Sequence, residues 1–133
     1  MGKLKKQLWE LCRQIVFKRY QNAAGEVFCY TSGQGPLTGS NRHLGHFVPS
    51  SVGGALLRYD LDNLRPQSYV ENVHKSGNWP VYYEKLVAEI GQERVDALLA
   101  KRGQTVKADI LFYQNKIEEY EALLHSLKIA PQE

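Results

Sequence analysis

The chain has 133 residues, 43% of them hydrophobic and 23% charged, with a formal net charge of +3, a length and balance that fit one globular domain with a modest core. No apolar run reaches the ~20 residues needed to span a bilayer, and two cysteines, Cys12 and Cys29, exclude a disulfide framework or an intact four-cysteine zinc site. A cytoplasmic protein with no membrane contact is the expectation, because Lys3, Lys5 and Lys6 are not followed by the continuous apolar stretch of a signal peptide.

In chain order, Leu4, Leu8, Leu11 and Ile15 recur at helical spacing between Lys3 and Tyr20, predicting an amphipathic helix that Asn22 to Gly25 ends. Lys3, Lys5, Lys6, Arg13, Lys18 and Arg19 crowd this helix, a distribution that reads first as a solvated face. Glu26 to Thr31 is rich in β-forming residues and predicts a short strand, with turn material from Ser32 to Gly39. His43 to Val48 reads as a second extended piece, Pro49 to Gly54 as a loop rich in Gly and Ser, and Ala55 to Asn63 as the passage to another short element. After Pro66 there is room for about two turns of helix before Gly77 stops them. Asn78 is placed to cap the next helix, with Pro80 in its first turn and Tyr82, Tyr83, Leu86, Val87 and Ile90 on its apolar face up to Gly91. A short helix follows from Glu93 to Lys101. Thr105 can cap a last one, in which Ile110, Tyr113, Ile117, Tyr120, Leu124 and Leu127 form a stripe suited to packing inside the domain, with dimerisation left open.

Three polar clusters interrupt this helical background: Arg42-His43-Leu44-Gly45-His46-Phe47, Arg58 through Leu64, and Glu71 through Asn78. A His at a strand end, an Asn after a loop, and an Asn or His on a following helix is the order of the ββα-metal, or HNH, nuclease finger. The longer text, with GHF, LRYDLDN, HKSGN and IGQE, resembles the phage recombination endonuclease family called NinG or Rap. The likeness runs from about Leu4 to Leu127 and is most specific from Gly45 to Gly91.

The resemblance implies an α+β fold, mainly helical, with a ββα-metal finger at residues 26–78 between an N-terminal helix at 1–22 and C-terminal helices at 79–128, all in a single domain. It implies a metal-dependent DNA endonuclease that hydrolyses phosphodiester bonds in branched recombination intermediates such as Holliday junctions or D-loops. His46 would be the general base, since a neutral imidazole takes a proton from water near neutral pH. Asn63 would tie the connecting loop and orient His46. Asn72 stands at the family's helix position for a metal ligand. His43 stands where an acidic ligand is usual, and His74 would be a phosphate contact or an alternative ligand.

One divalent cation, Mg²⁺ or Mn²⁺, with Ni²⁺ or Zn²⁺ admitted by the imidazole at position 43, would stabilise the charge that builds on the phosphoryl and leaving oxygens. Arg42, Arg58, Arg65 and Lys75 are candidate contacts to the DNA backbone. Family members usually carry a structural zinc on two CxxC pairs, where this chain has Cys29 and Ser32, then Ser68 and Glu71. Serine is a poor zinc ligand, so the structural zinc is expected to be absent. Two competing readings remain: an inactive DNA-binding or assembly protein on a worn nuclease finger, and a nuclease for nicked duplex, single strands or RNA.

Overall fold

The computed structural model describes residues 1–104 and 106–129. The uninterrupted helical repeat of apolar side chains produces α1 (Gly2–Tyr20), which buries Leu8, Leu11, Cys12, Ile15, Val16 and Phe17 on one face. The helix ends where Gln21 turns extended, and the Asn22 side chain closes the following turn by accepting from the Ala24 and Glu26 amides at 3.0 and 2.9 Å.

The strand expected over Glu26 to Thr31 does not form. The chain there folds back on itself: the Cys29 amide donates to the Gln34 carbonyl, and the Gly33 amide returns to the Cys29 carbonyl, both at 2.8 Å. Gly33 makes this possible at φ 74°. The local turn outcompetes sheet pairing, although the Tyr30 amide still donates to the Pro66 carbonyl at 2.8 Å.

The sheet consists of β1 (His43–His46) and β2 (Leu64–Gln67), antiparallel, with His43 opposite Gln67 and His46 opposite Leu64. Between them lies α2 (Ser50–Arg58), helical where the sequence predicts a loop but broken at Gly54, whose φ of 57° no helix accommodates. A 3₁₀ turn at Leu61–Asn63 leads into β2, and a single π-helical turn at Val70–His74 takes the place of the two expected α-turns. The remaining helices are α3 (Trp79–Ile90), α4 (Gln92–Ala100) and α5 (Ile110–Ile129).

Gly91, at φ 90°, separates α3 from α4 as expected. Asn78 occupies the cap position of α3 in a left-handed conformation, but its side chain donates to Glu71 at 3.0 Å and does not cap. Thr105 lies outside the described residues; the Asp109 carboxylate accepts from the Phe112 amide at 3.0 Å and caps α5.

Two apolar clusters flank the sheet. Leu8, Leu11, Cys12 and Ile15 of α1 pack with Tyr113, Ile117, Tyr120 and Leu124 of α5, and Leu44, Tyr59 and Leu64 join them. Phe47, Val48 and Leu57 pack with Tyr82, Leu86, Val95 and Leu98 of α3 and α4. Each fully buried leucine contributes roughly 1.5–3 kcal/mol, so the small sheet is held by helices that it could not replace. Four of the six α5 stripe residues, Tyr113, Ile117, Tyr120 and Leu124, are thereby buried within the chain, while Leu127 is partly buried and Ile110 is exposed. Among the described residues no helix is long and apolar enough to cross a membrane.

Candidate functional site

His46 is the last residue of β1, half-buried, with Nε2 3.0 Å from the Arg58 carbonyl oxygen. A carbonyl only accepts, so Nε2 carries the hydrogen and the lone pair is left on Nδ1. Burial pulls the His46 pKa below the ordinary 6.5; the Arg58 carbonyl opposes this and the Arg58 charge adds to it. The imidazole is therefore neutral at neutral pH, the state a proton acceptor needs. The Trp9 ring of α1 stacks on it, with centroids 5.4 Å apart and planes 17° from parallel.

Asn63 is fully buried and fixes this arrangement from behind. Its Oδ1 accepts from the Val48 amide at 2.7 Å, and its Nδ2 donates to the carbonyls of Val48 and Leu57 at 2.9 and 3.0 Å. Val48 lies two residues beyond His46, and Leu57 immediately precedes the residue whose carbonyl holds the imidazole. One amide thus ties both ends of the His46 hydrogen bond to the same point. Gly45 is held as well, its carbonyl accepting from the Tyr82 hydroxyl at 2.9 Å.

His43 opens β1. Its Nε2 is 3.0 Å from the Ser40 carbonyl, so that nitrogen donates, and Nδ1 faces the Asn72 side-chain amide, also at 3.0 Å. Anchoring one imidazole nitrogen on a backbone carbonyl while the other presents its lone pair is the usual wiring of a metal-binding histidine. Adjacent ligands of an octahedral ion with bonds of about 2.1 Å lie about 3 Å apart. Here the Asn72 amide occupies the His43 lone pair, so an ion could be shared only after the amide turned half-way round to present Oδ1. His74 stands at the end of the π turn, edge-on to Tyr69, which is also edge-on to His43. Among the described residues no group of three or more His, Cys, Asp and Glu is placed to hold a metal, so any ion there would need the amide of Asn72 and water.

His46 and Asn72 line one cleft of about 290 Å³, together with Pro49, Ser50, Ser51 and the Ser76-Gly77 turn. Of the sequence motif, His46 and Asn72 share this cleft, while Asn63 is buried behind it and His43 and His74 are not part of its lining. The larger groove of about 690 Å³ between α1 and α5 contains none of the motif residues and mixes Glu10 and Glu121 with lysines.

The candidate cations separate. Arg58 and Lys75 are exposed. Arg42 lies half-buried with its guanidinium 4.4 Å from the Phe17 ring centre. Arg65, taken from sequence as a backbone contact, is instead 3% exposed: it donates to Glu89 at 3.1 Å and to the carbonyls of Leu61 and Leu64 at 2.9 and 2.7 Å. A cation satisfied in this way braces the fold and is withdrawn from the molecular surface.

Cys29, Ser32, Ser68 and Glu71 also meet. The Ser68 amide donates to Cys29 Sγ at 3.3 Å, and the Glu71 amide donates to the Ser68 hydroxyl at 3.2 Å. Burial alone would push the Cys29 thiol up, but hydrogen bonds from Ser32, Ser68 and Thr31 together bring it down to about 7. The Glu71 carboxylate, 2% exposed, accepts from Asn78 and lies 3.2 Å from Lys75 Nζ, a close ion pair in which that oxygen has no hydrogen bond.

Trp9 is the residue of this site that sequence reasoning does not reach. It stands 37 positions before His46, and its place on the helix face that also carries Leu8 and Cys12 suggests only core.

A family model described as bacteriophage Lambda NinG protein matches residues 2–130. The Protein ninG of Enterobacteria phage H19B is 39% identical over 70 residues, which cover 53% of this chain and 33% of that protein. That of Escherichia phage 933W is 39% identical over 64 residues, 48% and 31% of the two chains. That of Escherichia phage lambda is 32% identical over 91 residues, 64% and 44%. The chain spans less than half the length of the curated relatives it matches. No solved structure matches.

Proposed function

The chain belongs to the NinG family, and on that footing we propose that it is a metal-dependent endonuclease with His46 as its general base. The observation that carries this reading is the wiring of His46: Nε2 bonded to the Arg58 carbonyl, a neutral ring, and a cleft shared with Asn72. In that cleft His46 Nδ1 accepts a proton from water as the water oxygen attacks phosphorus, and the bond to the leaving 3′ oxygen breaks. Asn63 keeps the imidazole from rotating away. His43 and Asn72 would hold a divalent ion, Mg²⁺ or Mn²⁺ with Ni²⁺ and Zn²⁺ as alternatives, whose chemistry is Lewis-acid neutralisation of charge on the phosphoryl and leaving oxygens. His74, beyond Tyr69, would contact a neighbouring phosphate or serve as an alternative ligand.

DNA as the substrate, and branched intermediates such as Holliday junctions or D-loops as its form, come from the family resemblance and extend this proposal. The test incubates the protein with junction, duplex, nicked, single-stranded and RNA substrates across Mg²⁺, Mn²⁺, Ni²⁺ and Zn²⁺. His46→Ala is expected to lower cleavage by at least about 10²-fold while binding persists; undiminished cleavage by that variant rejects the assignment.

A second reading has its own support, because His43 and Asn72 satisfy each other without an ion. An inactive DNA-binding or assembly protein would then show salt-sensitive binding with no cleavage under any of these metals.

A further inference from the structure

His46 is the boundary between two clefts, and only one of them holds Asn72. The other, about 390 Å³, shares His46 and Ser50 with it and is otherwise lined by Lys5, Lys6, Trp9, Arg58 and Tyr59. None of its lining side chains is acidic. Among the described residues Lys5, Lys6 and Arg58 make no ion pair, whereas Lys75, Arg94 and Lys101 are paired with carboxylates. Lys5 and Trp9 are one helical turn apart on α1, so both fall on the side that faces the sheet end, with Lys6 beside them. Cations that a fold leaves unpaired around a concave surface raise the local concentration of anions there.

We infer that α1 forms one wall of the nucleic-acid site and that this cleft seats the phosphate backbone flanking the scissile bond, with Lys5, Lys6 and Arg58 as its contacts. A strand lying in it passes the His46 ring and enters the cleft of Asn72, since His46 and Ser50 line both. A single strand is the form assigned, because unpaired cations beside an aromatic side chain are the combination that holds single strands. The inference deepens the nuclease reading and rests on it for the identity of the ligand.

The test measures anisotropy of a labelled single strand of about 12 nucleotides, in EDTA so that nothing is cut, across a salt series. Three phosphate contacts give a slope of log affinity against log salt of about −2, and Lys5→Gln/Lys6→Gln removes about 1.4 of it. Both positions are exposed on a helix and glutamine is a good helix former, so the fold is retained. In a Trp79→Phe background, where Trp9 is the remaining tryptophan, its emission should change saturably with the oligonucleotide. An unaltered slope in the double variant overturns the inference, as does inorganic phosphate reproducing the emission change at equal concentration. Cleavage that needs His46 but ignores Lys5 and Lys6 overturns it while leaving the nuclease reading intact. Binding that needs Lys5 and Lys6 in a protein that cuts nothing supports the cleft and removes the nuclease.

Discussion

Gly45 precedes the proposed base, and its missing side chain is what lets the sheet close behind that base. A Cβ there would lie 1.9 Å from Gln67 Oε1 and 2.6 Å from Cδ. Gln67 has nowhere to retreat: it is fully buried and donates to Thr31 at 3.0 Å and to the Gly77 carbonyl at 2.8 Å. Gly45→Ala is therefore expected to lower stability by about 2–4 kcal/mol, read as a lower urea midpoint at unchanged slope. Asn63→Ala strands the buried Val48 amide and two carbonyls, a loss of about 3 kcal/mol, and it should also loosen His46. If Asn63→Ala denatures with the parent, the side chain is not the tie described above. At this scale the site was half legible. The ordered set of His46, Asn63 and Asn72 could be read because a fixed spacing of reactive residue types survives in one dimension. The stacking of Trp9 and the burial of Arg65 could not, because each depends on which distant element packs over it.

Among the elements, the loop around Cys29 departs furthest from its expectation, and the reason is local. A run of β-forming residues loses to the turn closed by Gly33, and that turn brings Cys29 to Ser68. Helix ends fared better: Gly91 stops α3 as its sequence position foretells, since a left-handed stop is a property of one residue. The helical turns on either side of Gly54 were hidden because serine and glycine carry no apolar periodicity. The Cys29 turn has a consequence for metal dependence. At the positions where the resemblance expects zinc cysteines, Ser68 already bonds to Cys29 and to Glu71, and Glu71 accepts from Asn78, so the turn is expected to keep its shape with no zinc. Prolonged dialysis against EDTA should then leave Tm unchanged, and elemental analysis of the native protein should find less than a stoichiometric amount of zinc. A Tm that falls on chelation and returns with Zn²⁺ would reverse this.

Across the whole molecule, the shifted titrating groups combine into one stability profile. His46 is held below 6.5, so as pH falls through that value the unfolded chain takes up the proton first and stability declines. Glu71 and Glu89 are held below 4.5 despite burial, by Asn78 and Lys75 and by Tyr20, Tyr30 and Arg65 respectively, and they extend that loss into stronger acid. The alkaline side is less ordinary. Cys29 moves down from 9.0 to about 7, so between those values the folded chain holds the thiolate more readily and stability rises with pH. Cys12, buried between α1 and α5, moves up from 9.0 to about 12, and Tyr59 moves up from 10.0 to about 12, chiefly through burial. Both contribute stability that is lost once the unfolded chain ionises, above about 9 for the thiol and above about 10 for the phenol. Tm is therefore expected to climb from pH 5 to a maximum near pH 9 and then fall. The limb from 7 to 9 belongs to Cys29 alone among these groups, and Cys29→Ser should flatten it while leaving the decline below 6.5 in place. A parent and a Cys29→Ser variant with parallel profiles across that window would show that the turn does not stabilise the thiolate, and the hydrogen bonds assigned to Ser32 and Ser68 would have to be redrawn.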